Sequence, residues 1–161
     1  MTEDILFQAP KALIARTKVI MLPVDGSRDS GRAASVAFEL AHITKGKLLI
    51  VHIINVGAVQ QIAKMSSTDS LLVLRQYMEN GKNLLENYRA AAAEYRLDIE
   101  LILDQGSPPQ RIVQLARERR VDVIIIGSRG ASGEDRGSVG STTERVVRDA
   151  DCAVLVIKIP R

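Results

Sequence analysis

The feature that narrows the possible folds most is a regular alternation of short apolar runs with amphipathic segments from Val19 onward. The apolar runs cover residues 19–24, 47–56, 99–103, 121–126 and 152–159, and the helical patterns cover 30–44, 70–95, a segment starting at 107–109, and 142–149. Strands that alternate with helices form βαβ units with parallel strands. We therefore predict an α/β fold, Rossmann-like, with a five-stranded, mostly parallel sheet and helices on both faces.

The five apolar runs differ in how continuous they are. Runs one, two, four and five are almost uninterrupted, as in strands that are covered on both faces. In the third run Ile99, Leu101 and Leu103 alternate with charged residues, which predicts a half-exposed strand nearer a sheet edge. Residues 57–68 form a less regular stretch that leads into the long helix.

Length and composition limit the number of domains and the kinds of partner. At 161 residues the chain is most simply one domain, residues 17–161, preceded by an N-terminal arm, residues 1–16. The net charge is +3, but the basic residues are scattered among acids and aromatic residues make up only 3%, so we predict no nucleic-acid partner. No apolar run approaches the roughly 18 residues of a membrane span, and no signal peptide is recognisable. We expect a cytoplasmic protein without a membrane partner.

No residue of the chain is an evident catalyst or metal ligand. His52 lies inside an apolar strand without a recognisable partner motif, so we predict a hydrogen-bonded sheet histidine. Cys152 is the sole cysteine and is expected to be a buried small apolar residue. Neither a zinc-type cluster nor a nucleophile with an assigned base is present. We therefore predict no catalytic residues and no protein-held metal.

A glycine-rich segment follows the fourth apolar run and leads into a helix. It contains Gly127, Gly130, Gly140 and Ser141. Glycine lets the backbone approach an anion closely, and a helix start adds unpaired N–H groups and the positive end of a dipole. This segment predicts a phosphate site.

Two familiar phosphate loops are excluded. No Gly-x-Gly-x-x-Gly fingerprint follows the first strand. A Walker-type near-match runs from Gly26 to Gly31, but Arg32 and Ala33 stand where that loop needs Lys and Ser or Thr. Ala33 has no hydroxyl for magnesium, and arginine does not replace the compact lysine ammonium.

Three separate segments converge on one edge of the predicted sheet. Asp25, Ile53 and Gly127 fall at or near the carboxyl ends of their strands. In open α/β sheets, ligands bind at that edge, near the switch in strand order.

The glycine segment resembles the nucleotide loop of the universal stress protein family, Gly-x-x-Gly, nine residues, then Gly-Ser or Gly-Thr. The resemblance extends from Val19 to Lys158 and includes residues 23–27, 51–53, 106–108 and 154–157. It implies a five-stranded α/β fold that is usually a homodimer, here through residues 152–159, and a branch that binds ATP.

The resemblance also implies roles for individual residues. It puts Asp25 near the ribose or adenine, and the main chain around Val24 and Ile53 beside the adenine. It assigns the phosphate chain to Gly127, Arg129 and Gly130 at one part, and to Gly140, Ser141 and Thr142 at the other. A divalent cation, Mg or Mn, would be held mainly by the phosphates.

Structural alternatives remain open for the two ends of this site. Asp25 precedes a glycine and is also an ordinary turn residue. Residues 141–144, Ser-Thr-Thr-Glu, form a capping-box pattern in which Ser141 and Glu144 close the helix start themselves. Both roles are compatible with a bound phosphate if the cap adjusts.

The sequence hypothesis is an ATP-binding universal stress protein that acts as a nucleotide-responsive sensor or regulator. Any hydrolysis would be slow, because cradling phosphates without a positioned base stabilises ground and transition states alike. The main alternative is a protein-interaction module of the same fold that does not bind nucleotide. An adenylate-forming enzyme is a third possibility, although the chain has little room for a second substrate region.

Overall fold

The computed structural model describes residues 14–129 and 139–160 of the chain. Within them five strands and five α-helices alternate. The elements in chain order are β1 (Val19–Pro23), α1 (Arg28–Thr44), β2 (Lys47–Asn55), α2 (Val56–Met65), α3 (Ser70–Ala91), a 3₁₀ turn (Ala93–Tyr95), β3 (Ile99–Gly106), α4 (Pro108–Glu118), β4 (Val123–Gly127), α5 (Ser141–Asp149) and β5 (Ala153–Ile157). Most of the predicted N-terminal arm, residues 1–16, lies outside the described residues, so the arm remains a prediction.

All four strand pairs are parallel, and the strand order is β3-β2-β1-β4-β5. The order reverses at β1, between β2 and β4. Successive residues of a strand point to opposite faces of the sheet. On β1, Ile20 and Leu22 pack with α1 and α3, whereas Met21 packs with α4 and α5. The sheet is therefore covered by helices on both faces, as predicted.

The edge strands differ from one another. β3 is an edge strand with every residue but one partly buried, which confirms the prediction of a half-exposed strand near a sheet edge. β5 is the other edge, and the prediction that it is covered on both faces is wrong, since the Leu155 side chain is 43% exposed. The helices do not fully cover the faces of the sheet at this edge, so an apolar side chain such as Leu155 stays partly exposed. Cys152 precedes this strand and is half-buried, and this burial raises the pKa of its thiol.

The stretch 57–68 holds an element that its sequence did not indicate. Residues Val56–Met65 form helix α2, which begins directly where β2 ends. The Asn55 side chain caps it by accepting a hydrogen bond from the Ala58 N–H at 3.2 Å. The helix buries only Val59 and Ala63 along its ten residues, so its amphipathic signal is short.

The predicted long helix, residues 70–95, ends earlier than expected. α3 stops at Ala91, and the 3₁₀ turn takes up the rest of the segment.

None of the helices within residues 14–129 and 139–160 is both long and apolar enough to cross a membrane.

Candidate functional site

The carboxyl edge of the sheet brings together three loop segments at the strand-order switch. These are the turn after β1, the end of β4 and the start of α5. The Ser27 hydroxyl donates to the Arg129 carbonyl at 3.4 Å, and the Gly140 N–H donates to the Ser128 carbonyl at 2.6 Å. Residues about a hundred positions apart in the chain therefore meet at this edge of the sheet.

The predicted adenine-side residues lie at the edge, but their own groups are partly used by the fold. The buried Val24 donates its N–H to the Val51 carbonyl at 2.8 Å, and its carbonyl accepts from His52 Nδ1 at 2.7 Å. Because a carbonyl only accepts, His52 carries its proton on Nδ1. The prediction of a satisfied sheet histidine is confirmed. Ile53, two residues before the end of β2, has its side chain buried in the core.

Asp25 forms the turn that its position before a glycine suggested. Its Oδ1 accepts the Ser27 N–H at 3.0 Å, and Gly26 has a φ of 81°, in the region that favours glycine. Asp25 is exposed at the edge of the sheet. The turn role is therefore confirmed, with one carboxylate oxygen of Asp25 engaged by the Ser27 N–H.

The strongest polar cluster at this edge centres on a residue that sequence reasoning missed. The Asp29 side chain, 6% exposed, accepts the Ser128 hydroxyl at 2.6 Å and the Arg129 N–H at 3.0 Å. Arg129 Nε lies 3.6 Å from the same oxygen. The one signal in the sequence was an acid directly before the predicted helix 30–44, and an acid near a helix start usually indicates no more than a favourable dipole interaction.

Gly127 is required by this packing as well as by its motif. A Cβ built on Gly127 would lie 2.7 Å from the Asp29 main-chain carbon and 2.7 Å from its Cβ. The missing side chain thus lets the start of α1 press against the end of β4. The Gly127 carbonyl accepts the buried Thr143 hydroxyl at 2.7 Å, which ties α5 to the same point.

The start of α5 contradicts the predicted capping box. The N-cap is Gly140, with an extended conformation and no side-chain cap, so Ser141 is the first helical residue. Within the described residues, no side chain accepts a hydrogen bond from the N–H groups of Ser141 and Thr142. Their neighbours Gly140 and Thr143 are hydrogen-bonded to Ser128 and Gly127 at the end of β4, whereas Gly130 lies outside the described residues.

The two helix starts at this edge therefore differ in character. α1 is capped by Ser27, whose oxygen accepts the Ser30 N–H at 3.1 Å, and it holds the Asp29 carboxylate in its first turn. α5 has a glycine cap, and among the described residues no side chain accepts a hydrogen bond from the N–H groups of its first turn. An incoming anion is favoured at an uncapped helix start and opposed by a buried carboxylate.

Tyr88 connects helix α3 to the same edge. Its hydroxyl lies 2.9 Å from Ser30 Oγ, which also accepts the Asp25 N–H at 3.3 Å. Burial raises the pKa of Tyr88, the hydrogen bond to Ser30 opposes that rise, and the negative charge of Asp25 adds to it. The turn after β1 is thereby held from the α3 side as well as from β4.

The described part of the chain contains no group of three or more His, Cys, Asp or Glu side chains arranged to hold a metal ion. Within the described residues, charged side chains at this edge include Asp25, Asp29 and Arg129. The Arg129 side chain is about three-quarters buried and lies beside the Asp29 carboxylate.

Comparison with known proteins assigns the chain to a family. A model of the universal stress protein family matches residues 16–158. The chain belongs to the universal stress protein family. Universal stress protein MJ0531 of Methanocaldococcus jannaschii is 30% identical over 144 residues, 89% of this chain and 84% of that protein. Universal stress protein YxiE of Bacillus subtilis is 30% identical over 147 residues, 86% of this chain and 97% of that protein.

Solved structures show the same universal stress protein fold. Hypothetical protein MJ0577 matches with a TM-score of 0.80 at 24% identity, over 91% of this chain and 99% of that one. A universal stress protein in complex with cAMP matches with a TM-score of 0.64 at 22% identity, over 89% of this chain and 98% of that one. A family member from Arabidopsis thaliana with AMP bound matches with a TM-score of 0.61 at 21% identity, over 89% of this chain and 92% of that one. The predicted fold is confirmed.

Proposed function

We propose that this universal stress protein binds an adenine nucleotide, ATP in the cell, at the carboxyl edge of the sheet between β1 and β4. The observation that carries the proposal is the start of α5, where first-turn N–H groups lie beside the end of β4 with no capping side chain among the described residues. Such groups attract phosphate. The solved relatives with cAMP and with AMP support the adenine nucleotide class.

The proposal gives each predicted residue a role. Asp25 accepts hydrogen bonds from the ribose hydroxyls, and the main chain near Val24 and Ile53 borders the adenine. The phosphate chain lies between two groups of loop residues, Gly127, Arg129 and Gly130 on one side and Gly140, Ser141 and Thr142 on the other. A divalent cation, Mg or Mn, is held mainly by the phosphates.

We expect nucleotide binding to regulate rather than to drive chemistry. A general base must reach the attacking water. The buried carboxylate beside residues 127–129, Asp29, already accepts hydrogen bonds from Ser128 and Arg129, so it is not placed to act as that base. Hydrolysis is therefore slow at most. We infer further that the protein is a cytoplasmic homodimer joined through residues 152–159, with a protein partner that responds to the nucleotide.

A second candidate function is protein binding that does not depend on nucleotide. Apolar side chains are exposed at the junction of α2 and α3, where Met65 is 78% and Leu71 61% exposed. An exposed apolar patch of this kind is typical of an interaction surface. On this alternative, the contacts at the carboxyl edge are only a structural junction, and the α2–α3 surface carries the function.

The first experiment measures small molecules released from the purified protein by mass spectrometry, followed by calorimetry with ATP and magnesium. Released adenine nucleotide, or micromolar binding, supports the nucleotide proposal. A folded protein that releases none and gives no heat with ATP contradicts it and favours the interaction module.

Variants of Gly140 test where the phosphates bind. Asp and Asn both cap helices well, and the extended conformation at Gly140 suits either residue. Gly140→Asp places a negative charge at the start of α5, so we expect ATP affinity to fall at least tenfold, about 1.4 kcal/mol. Gly140→Asn adds a similar cap without the charge, so its ATP affinity should fall much less.

The controls for these variants are thermal unfolding and adenosine binding. Both variants should melt at or slightly above the temperature of the parent protein because each gains a cap. Adenosine affinity should be similar in both, since adenosine carries no phosphate. Equal ATP affinity in Gly140→Asp and Gly140→Asn would place the phosphates elsewhere.

A further inference from the structure

Asp29 is a buried carboxylate outside the family motif. Its side chain contacts Ser128 and Arg129, which directly follow the first glycine of the motif, Gly127. It lies in the first turn of α1, yet it accepts hydrogen bonds from Ser128 and Arg129, which are about a hundred residues away in the chain. A buried carboxylate is costly unless it is paired and hydrogen-bonded. Here one oxygen, Oδ2, accepts both hydrogen bonds and faces the Arg129 guanidinium.

The position of this carboxylate leaves little freedom to the end of β4. Gly127 is in close contact with the Asp29 backbone, and the next two residues are hydrogen-bonded to the Asp29 side chain. The Ser128 N–H also donates to the Ile157 carbonyl at 2.9 Å, and the Ser128 carbonyl accepts the Gly140 N–H. Ser128 therefore links Asp29 to the cap of α5.

The carboxylate also occupies the start of α1. An anion in the first helical turn is stabilised by the helix dipole, and here the protein supplies that anion itself. A phosphate would meet a negative charge at the start of α1, whereas no side chain of the described residues caps the start of α5. The near-match to a Walker loop after β1 is therefore not only incomplete in sequence but also blocked by charge.

We propose that Asp29 is a positioning residue of the nucleotide site. It fixes Ser128 and Arg129 in the arrangement that receives the phosphate chain, and it directs that chain to α5 rather than to α1. This inference rests on the proposed nucleotide function. It predicts that Asp29 matters for the phosphates of ATP and not for the adenosine moiety.

The test compares Asp29→Asn with Ser128→Ala and uses Ser128→Thr as the conservative control. Asparagine keeps one acceptor oxygen but loses the charge, alanine loses the hydroxyl donor, and threonine keeps it. In Asp29→Asn we expect ATP to bind at least tenfold more weakly, with adenosine affinity changed less than threefold. Ser128→Ala should weaken ATP binding by a smaller factor, and Ser128→Thr should stay close to the parent protein.

A second measurement needs no nucleotide. Hydrogen exchange of the Arg129 amide, read by NMR in the ligand-free protein, should accelerate at least tenfold in Asp29→Asn because its acceptor is weakened. The amide of Gly31, which donates to the Ser27 carbonyl at 3.1 Å within α1, should change little. Faster exchange at both amides would indicate a general loosening of the helix and would overturn the specific role.

The outcomes separate this inference from the proposed function. If the parent protein does not bind ATP, the nucleotide proposal fails and the positioning role fails with it, even if Arg129 exchange responds as expected. If the parent binds ATP and Asp29→Asn binds it equally well or more tightly, only the positioning role is overturned. Equal losses for ATP and adenosine would mark Asp29 as purely structural. If Asp29→Asn does not fold, the comparison of Ser128→Ala with Ser128→Thr decides the same question.

Discussion

Two glycines at the carboxyl edge carry opposite consequences for the fold. Gly127 ends β4 in contact with the Asp29 backbone, and a Cβ there would come within 2.7 Å of main-chain and side-chain atoms. Gly31 lies inside α1, and a Cβ built on it meets nothing within 4 Å. The first glycine is a packing requirement, whereas the second only weakens its helix.

Substituting alanine at each position tests this difference. Gly127→Ala should lower the free energy of unfolding by about 1–3 kcal/mol because backbone atoms must move apart. Gly31→Ala should raise it by about 0.5–1 kcal/mol through helix propensity. Urea denaturation of both variants measures the two changes. A stable Gly127→Ala protein would show that α1 and β4 are not tightly apposed.

Single residues were predictable where a local rule decides their role. His52 was expected to be a satisfied sheet histidine because it interrupts a buried strand, and its bond to the Val24 carbonyl confirms this. Ser141 matched a capping box, but the helix begins one residue earlier than that box requires. Asp29 could not be found, because its role depends on Ser128 and Arg129, which come close only when β1 and β4 pair.

At the scale of elements, one carboxylate joins three segments on the β3 side of the sheet. Glu100 on β3 pairs with Lys47 at the start of β2, 3.4 Å away, and with Arg119 just after α4. Burial alone would raise the pKa of Glu100, but the hydrogen bonds and charges of Arg119 and Lys47 outweigh it, so the pKa is lowered. The three segments are thus held together by a charge that depends on pH.

Replacing Glu100 tests the contribution of this cluster. A carboxyl group whose pKa is lower in the folded than in the unfolded protein stabilises the fold above its unfolded pKa. That stability disappears as the pH falls through the folded pKa. Glu100→Gln should therefore lower the free energy of unfolding by about 0.5–1 kcal/mol near neutral pH, and by progressively less below the ordinary glutamate pKa of about 4.3.

Urea denaturation at neutral and acidic pH measures this difference. The matched control is Glu79→Gln, which removes an exposed carboxylate that pairs with Lys82 on α3 at 3.6 Å. It should change the free energy of unfolding by less than about 0.5 kcal/mol. A Glu100→Gln effect that is equally large at both pH values would contradict the electrostatic explanation.

Strands and helices were predictable where their apolar pattern extends over enough residues to be recognised. The five strands and the helices α1, α3, α4 and α5 follow from runs that repeat over many residues. α2 was missed because only Val59 and Ala63 of its ten residues are buried and because it begins without a turn after β2. The exposure of β5 was missed because an apolar run does not reveal how completely helices cover the faces of its strand.

For the whole molecule, the site is a product of topology rather than of any one segment. The parallel order β3-β2-β1-β4-β5 places the ends of β1 and β4 side by side, so the turn at Asp25 and the segment 127–129 meet. A family motif indicated which segments take part. Their mutual contacts, including the link from Tyr88 through Ser30 to Asp25, required the structure.

The open edge at β5 bears on assembly. Within the described residues β5 pairs only with β4, so its other backbone edge is unpaired, and the Leu155 side chain is 43% exposed. An exposed apolar edge strand is prone to aggregation unless another segment covers it. We propose that a second copy of the chain covers this edge. The N-terminal arm is the other segment that could do so.

A matched pair of lysine substitutions tests this assembly. Leu155→Lys places a charge on the open edge, which is how natural edge strands avoid pairing, so a dimer joined there should dissociate. Met65→Lys adds the same charge at a more exposed position at the end of α2, on the opposite half of the sheet. Sedimentation velocity at micromolar concentration should give a dimer for the parent protein and for Met65→Lys, and a monomer for Leu155→Lys. A parent protein that is strictly monomeric would leave the N-terminal arm as the cover for β5, and a dimeric Leu155→Lys protein would move the interface to another surface.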